Sequence, residues 1–451
     1  MFGREIGKGS LNGQVINQSV PLPIAQPGIT YKDEGMTTVA AAEKKFPLKT
    51  LLSFLGPGFL VTVGFIDPGN WATNMEGGSR FGYELLWVIT LSTIMLIVIQ
   101  NMAAKLGIAT GKSLAVNIRE RFSRPVSALL GLTIVLACVA TDMAELLGGA
   151  IGFNLLFGMP LWSGALLTVL FEVFLIVSQR YHRIEAIIMG FLGIIGLCYL
   201  VEILIVKPDW AELAPSMVVP SVNRSSIYVA MAILGAVVMP HNIFLHSNVI
   251  HSRNWGISEG EKMALLRYEK VDTLSAMLLG WVVNSAMIIV AAAVFSRHHV
   301  AVNSIEQASA TLKPLAGPLA GLLFAVALVF AGVGSSVTSS MAEVNVITGF
   351  LGRPEDPRTL LYRISVFVTA IPSFVIILLA MDTFRILIFS QVVLSIQLPF
   401  TLVPLLILCR DRNLMGCFRS SPLEFAAAVV ISAVVTILNI YMFYSTIAGG
   451  G

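Results

Sequence analysis

Apolar runs of about twenty residues follow one another along this chain, separated by short polar segments that hold most of its charge. A helix rises about 1.5 Å per residue, so such a run crosses roughly 30 Å of hydrocarbon. The pattern predicts eleven helical spans, with cores at 51–76, 85–106, 126–152, 160–178, 186–206, 226–251, 272–295, 315–350, 361–380, 384–408 and 422–447. The eighth is long for a single crossing and is expected to project beyond the bilayer. Residues 1–50 break the pattern. They are polar, rich in Gly, Pro and Lys, and lack the apolar core of a signal peptide, so a disordered cytosolic tail is expected there.

Two runs are interrupted where a spanning helix should be continuous. Asp67-Pro68-Gly69-Asn70 falls inside the run 54–74, and Met239-Pro240-His241-Asn242 inside the run 227–250. Proline removes a helix donor and clashes with the preceding turn, and glycine loosens the backbone. Each motif is therefore expected to unwind its helix near the midplane, where irregular backbone persists only when it lines a cavity or binds something. The broken spans are the first and the sixth. An offset of five spans reverses membrane orientation, which predicts two inverted five-helix repeats, residues 51–208 and 224–410, with an eleventh helix at 420–451. Discontinuous helices at matching places in two halves point to the binding site of a secondary transporter.

Charge and composition sharpen this picture. Of 451 residues, 56% are hydrophobic and 12% are charged, against about 25% charged in soluble domains. The chain reads as an all-α polytopic membrane protein. With the N-terminus inside, 23 of the 29 Lys and Arg fall on the cytosolic side and 6 outside. This positive-inside bias predicts a cytoplasmic N-terminus and an extracellular C-terminus. No long basic run suggests nucleic acid. The four cysteines have no paired spacing, so neither a disulfide framework nor a zinc site is expected. No Walker loop or nucleophile elbow is present, and neither an enzymatic activity nor a resident cofactor is expected.

The chemistry gathers at the breaks. Asp67 offers a carboxylate at a depth where a charge costs several kcal/mol unless it is paired or coordinated. Asn70 offers an amide oxygen, although either residue could instead cap the second half-helix. Met239 offers a thioether, a soft ligand suited to late divalent ions rather than to Mg²⁺ or Ca²⁺. Carbonyls freed by unwinding near Gly64 and Ala236 would complete such a sphere. Gln391 could offer an oxygen to the ion or simply bond another helix.

His241, His246 and His251 are spaced by five, about 140° apart around a helix, so they do not form a metal-binding face. A proton relay suits His241 and His246 better, with structural hydrogen bonding as the alternative, and His251 is placed at the cytosolic surface. Asp142 and Glu145 share one face of the third span and suit a proton path, or a salt bridge to an arginine. Glu343 lies in a run of small polar residues typical of tight helix packing. Glu172 and Glu202 are expected near the interface, facing headgroups or neighbouring helices.

These motifs resemble those of the Nramp family of divalent-metal transporters. The resemblance is carried by Gly56-Pro57-Gly58-Phe59, Asp67-Pro68-Gly69-Asn70, Ala140-Thr141-Asp142-Met143-Ala144-Glu145, Met239-Pro240-His241-Asn242 with Leu245-His246-Ser247, and Ser390-Gln391 with Pro399-Phe400. It runs from about residue 50 to the end of the chain. It implies a leucine-transporter-type fold and alternating-access import of Mn²⁺ and Fe²⁺, usually with protons. It also implies Asp67, Asn70, Met239 and the carbonyls near Gly64 and Ala236 as metal ligands, joined by Gln391 in some states. Asp67, Asp142, Glu145 and His241 would match the family's proton-linked positions. The expected partners are divalent metal ions, protons and the lipid bilayer, for a monomer in a bacterial plasma membrane.

Two departures stand out. Family members often carry a Glu seven residues before the third-span Asp, where this chain has Val135, and often a Gln or small residue near the place of Glu343. Either Glu343 replaces the lost carboxylate from across the interface of spans three and eight, or the relay is broken and metal moves uncoupled. Three other readings compete. A Mg²⁺-carrying relative would lack the soft Met239. A non-transporting sensor would want a long output domain after Gly451. In an amino-acid symporter of the same fold, Asp67 would repel the substrate carboxylate.

Overall fold

The computed structural model describes residues 54–178, 180–253, 258–379 and 382–448, with the backbone alone for 442–448; the tail expected at 1–50 lies outside them. Every regular element among the described residues is a helix. The first span is divided into α1 (Pro57–Gly64) and α2 (Pro68–Phe81). Span two is α3 (Leu86–Thr110), followed by the short α4 (Leu114–Arg121) and span three, α5 (Arg124–Phe157). Spans four and five are α6 (Leu161–Ser178) and α7 (Tyr181–Val206), with α8 (Trp210–Ser216) in the next connection. The sixth span is divided into α9 (Ile227–Val237) and α10 (Pro240–Val249). Span seven is α11 (Glu259–Val294), and α12 (Ile305–Ala316) leads to span eight, α13 (Pro318–Leu351). Spans nine to eleven are α14 (Leu360–Leu378), α15 (Thr383–Arg410) and α16 (Pro422–Ala448).

Ten segments among the described residues are long and apolar enough to cross a membrane; the remaining expected span is the divided α1–α2. The eighth span runs for 34 residues, as its apolar run suggested. The seventh begins thirteen residues before its expected core. Its polar first turns are held by a capping box, with the Ser258 hydroxyl accepting from the Glu261 N–H, and hydropathy alone does not register such a start. The helix α12 also went unanticipated. It is short and amphipathic, with Ile305, Ala308 and Leu312 buried and Ser304 capping it.

Burial sorts the helices into a centre and a periphery. The sixth span is 89% buried in its most apolar window, whereas the fourth is 33% buried and turns Leu170 and Phe174 outward. The periphery is a lipid-facing surface by its chemistry, and the broken spans lie inside it. At the centre α5 packs along α13. A Cβ placed on Gly332 would stand 2.5 Å from the Gly149 nitrogen and 2.8 Å from its Cα, so two backbones meet there with no room for a methyl group. One further turn along, a Cβ on Gly152 would stand 2.9 Å from the Val329 nitrogen. In lipid, where apolar burial gives helices little reason to associate, close packing of small residues carries much of the attraction.

One part-buried ion pair ties the second span to the last. The Lys105 ammonium donates to Glu424 at 2.5 Å and to the Ser420 hydroxyl at 3.0 Å. The four cysteines are free.

Gly332→Ala should force α5 and α13 apart and cost about 1–3 kcal/mol. Gly190→Ala, at a position with open space around it, should leave stability unchanged. Thermal unfolding of both variants in detergent checks this; equal midpoints would mean that the glycine crossing is not a close-packed contact.

Candidate metal site at the broken helices

The first break is short and fully bonded. α1 closes with Phe65 N–H donating to Thr62 C=O and Ile66 N–H to Val63 C=O, and α2 begins at Pro68. Proline at the first helical position has no N–H to orphan and a preset φ, so it starts the second half more than it breaks the first. Asp67 is the N-cap. Its Oδ1 accepts from Asn70 N–H and its Oδ2 from Gly69 N–H, both at 3.0 Å. The Gln391 side chain, from α15, donates to the same Oδ2 at 3.2 Å. The carboxylate is wholly buried. A Cβ on Gly69 would overlap the Gln391 amide, so the glycine is what lets span ten approach.

Asn70 bridges the break instead of capping it. Its Nδ2 donates to Phe65 C=O at 2.6 Å and to the Asn284 Oδ1 on α11, and its Oδ1 accepts from Asn74 Nδ2 at 3.1 Å. The second break is Val238–Met239, between α9 and α10. Met239 is extended, with φ −78° and ψ 126°, and its side chain has no exposure. Asn242 sits between the breaks. Its Nδ2 lies 3.6 Å from the Met239 sulfur, and a Cβ on Gly64 would stand 2.6 Å from both of its terminal amide atoms. Gly64 and Ala236 lie in the last turns of α1 and α9, where carbonyls have no continuing helix to accept from.

The structure thus brings Asp67, Asn70 and Gln391 together by direct bonds, and sets Gly64 near Met239 through Asn242. Several groups remain open, the Asn242 Oδ1 among them. Asp67 has lone pairs beyond the donors it meets, and Gln391 Oε1 has no hydrogen-bond partner.

The carboxylates of span three face span eight. The Ser339 hydroxyl is 3.1 Å from Asp142 Oδ1 and 3.2 Å from Glu343 Oε1, and Thr369 of α14 donates to the other Glu343 oxygen. Among the described residues no arginine pairs with them. Glu145 is fully buried with neither oxygen partnered. His241 reaches the same helix, its Nδ1 3.3 Å from the Thr141 hydroxyl, and its Nε2 is unpartnered. His246 points elsewhere, between Gln100 at 2.9 Å and Glu269 at 2.7 Å. His251 is exposed, its Nε2 3.1 Å from the Gly107 carbonyl. Glu172 and Glu202 face neighbouring helices, the second of the two surroundings expected for them: both are buried, and Glu172 accepts from Ser340. A lone carboxylate in an apolar run does not reveal which face of its helix it occupies.

Sequence reasoning missed Asn242, although it stands in the second motif, and Asn284, a buried amide in an apolar span whose need for partners was the available signal. It also missed the set that holds the first half-helix. The Asp272 carboxylate accepts from Gly56 N–H at 3.0 Å and Gly58 N–H at 2.7 Å, at the start of α1. Arg253 donates to Leu55 C=O at 2.9 Å and forms a two-pronged pair with Glu185, at 2.6 and 3.1 Å.

Known proteins are similar to this chain in sequence and fold. Two "divalent metal cation transporter MntH" proteins are each 40% identical: one from Brucella suis, over 88% of this chain and 89% of its own length, and one from Caldanaerobacter subterraneus, over 89% and 95%. The structure of an Eremococcus coleocola manganese transporter superposes with a TM-score of 0.79 at 30% identity, covering 91% of this chain and 90% of the other. Mhp1, a nucleobase-cation-symport-1 family transporter, matches with a TM-score of 0.57 at 15% identity over 87% and 93%, which shows the same leucine-transporter-type fold. The family model described as natural resistance-associated macrophage protein-like matches residues 58–445, and on that extent and those identities the chain belongs to the Nramp family.

Proposed function

We propose that this protein is a secondary transporter that imports Mn²⁺, Fe²⁺ and similar divalent ions across a bacterial plasma membrane, with its N-terminus cytoplasmic and its C-terminus extracellular. Members of its family are metal-ion transporters, not enzymes. The observation that carries the reading is the Asp67 carboxylate, wholly buried in the first helix break, where it accepts from the Gln391 side chain and the Asn70 N–H. The ion would take Asp67 Oδ1, the Asn70 amide oxygen, the Met239 sulfur and the carbonyls of Gly64 and Ala236, with Gln391 Oε1 joining in some states. Residues 51–208 and 224–410 would act as the two inverted repeats. Parting of α1 from Asp272 and from the Arg253–Glu185 pair would open one side of the site. The monomer would be sufficient, since every group invoked belongs to one chain.

Protons would travel separately. The Ser339 hydroxyl links Asp142 and Glu343 across spans three and eight, Thr369 of span nine holds the other Glu343 oxygen, and Thr141, next to Asp142 in the chain, meets His241 of span six. Glu145, one turn from Asp142 and without partners, would extend this route towards Asp67. Glu343 would stand in for the carboxylate that Val135 lacks. His246 would tune the route from outside it, through Glu269.

In proteoliposomes, Asp67→Ala should reduce Mn²⁺ uptake to the level of empty vesicles, and uptake near the wild-type rate would overturn the site assignment. Met239→Ala removes the soft ligand. It should weaken Cd²⁺ transport most and allow Ca²⁺ and Mg²⁺ to compete with Mn²⁺; a variant that still excludes Ca²⁺ as the wild type does would show that another group filters.

An internal pH dye tests the coupling. The wild type should acidify the lumen as Mn²⁺ enters, Glu343→Gln should reduce that acidification, and Glu343→Gln with Val135→Glu should restore part of it. Equal proton entry in wild type and Glu343→Gln would reject the replacement, and none in the wild type would favour uncoupled transport.

A further inference from the structure

Glu202 is a second buried carboxylate that the metal site and the proton route do not use. It lies one turn before the end of α7 at 1% exposure, and neither oxygen has a hydrogen-bond partner. Among the described residues no ion pair neutralises it. An isolated ionised carboxylate in an apolar interior is expensive, and such groups are paired or bind a metal.

Glu202 borders a cavity of about 10 Å³, room for one occupant the size of a water molecule. Met75 of α2 and Met287 of α11 line the same cavity, both nearly fully buried, with Tyr199 and apolar side chains around them. A carboxylate and two thioethers thus surround a space that fits a single ion. A water there would use the carboxylate and make no use of the Met75 sulfur. The mixture of one hard donor and two soft ones suits late divalent ions and disfavours Ca²⁺ and Mg²⁺.

The cavity is joined to the first break. The Asn74 Nδ2 is 3.4 Å from the Met287 sulfur and 3.1 Å from the Asn70 Oδ1, so one amide touches both places. Met75 is five residues beyond Asn70 on α2, about 7 Å along the helix. The two positions are therefore about one and a half turns apart on the same half-helix.

We propose that Glu202, Met75 and Met287 form a second metal-binding site, at which a transition-metal ion is held next to the break before it passes to Asp67 or after it leaves. The inference rests on the reading of this chain as a transition-metal carrier.

The test uses the full-length chain with both central ligands removed, Asp67→Ala with Met239→Ala, purified in detergent and titrated with Cd²⁺ by calorimetry. The background variant should bind one Cd²⁺ per chain, with cadmium–sulfur scattering in its X-ray absorption spectrum. Adding Glu202→Gln should abolish the binding. Adding Met75→Leu and Met287→Leu should remove the sulfur signal, and Ca²⁺ should not displace the ion. A background variant that binds no Cd²⁺ would overturn the proposal and assign the cavity to water. So would binding that survives Glu202→Gln. If thermal unfolding shows Glu202→Gln to be misfolded, Glu202→Asp, which withdraws the carboxylate by one methylene, should weaken Cd²⁺ binding, and unchanged affinity would equally overturn it. The central reading falls on a different result, retained Mn²⁺ uptake in Asp67→Ala, so the two fail separately.

Discussion

A backbone that breaks inside a membrane has no water to bond to, and every amide it frees must find a partner within the protein. That constraint shapes the centre of this molecule. Between α1 and α2 the freed N–H groups of Gly69 and Asn70 are taken by the Asp67 carboxylate, and the freed Phe65 carbonyl is taken by the Asn70 amide. The Asn70 amide is itself shared with Asn284 on α11. The break is thus sewn shut by three side chains, two of them inside the four-residue motif that causes it. Change either one and the backbone loses its partner as well as its ligand.

The groups that make the break possible are those best suited to bind an ion there. A carboxylate accepts about four hydrogen bonds. Asp67 takes two from its own helix and one from Gln391, so a free lone pair remains on Oδ1. An arriving cation would gain a partly organised anion whose geometry is already fixed by capping, with no need to order a floppy side chain. Gln391 has the complementary role. In this conformation its NH₂ end donates to Asp67 and its carbonyl end is unpartnered, so a rotation of the amide would replace a donor by a ligand.

The fold was legible in the sequence to the extent that hydropathy and proline carry it. The eleven spans, the two divided ones and the long eighth helix all follow from apolar runs of known length and from Pro68 and Pro240. Helices whose faces alternate in water, such as α12 and the first turns of α11, escape a hydropathy reading because their mean polarity is ordinary. In the site, Asp67 and Met239 were visible because each precedes a proline in an apolar run, and Asn70 because it closes the same four-residue motif as Asp67. Partners contributed by distant spans were not. Asn284, Asp272 and Arg253 acquire their meaning only when the fold sets them against residues some 200 positions away. The interior position of Glu172 and Glu202 was left open for the same reason, since one polar residue in a span does not fix which way its helix is turned.

Two sets of polar groups stand out in the interior, meeting where His241 approaches Thr141. One set surrounds the breaks, on spans one, six, seven and ten. The other lines the seam of spans three, eight and nine, where Ser339 stands between Asp142 and Glu343. That seam is also where Gly149 and Gly332 bring two long helices into backbone contact. Small residues let the helices approach, and close approach is what allows one serine hydroxyl to reach two carboxylates on different helices. A wider crossing would leave two separate buried acids with no link between them. The glycines that hold the scaffold together therefore also set the spacing of the acids, and because a Cβ on the neighbouring Gly148 would overlap Pro68, a change in packing at Gly332 would be felt at the first break as well as at Asp142 and Glu343.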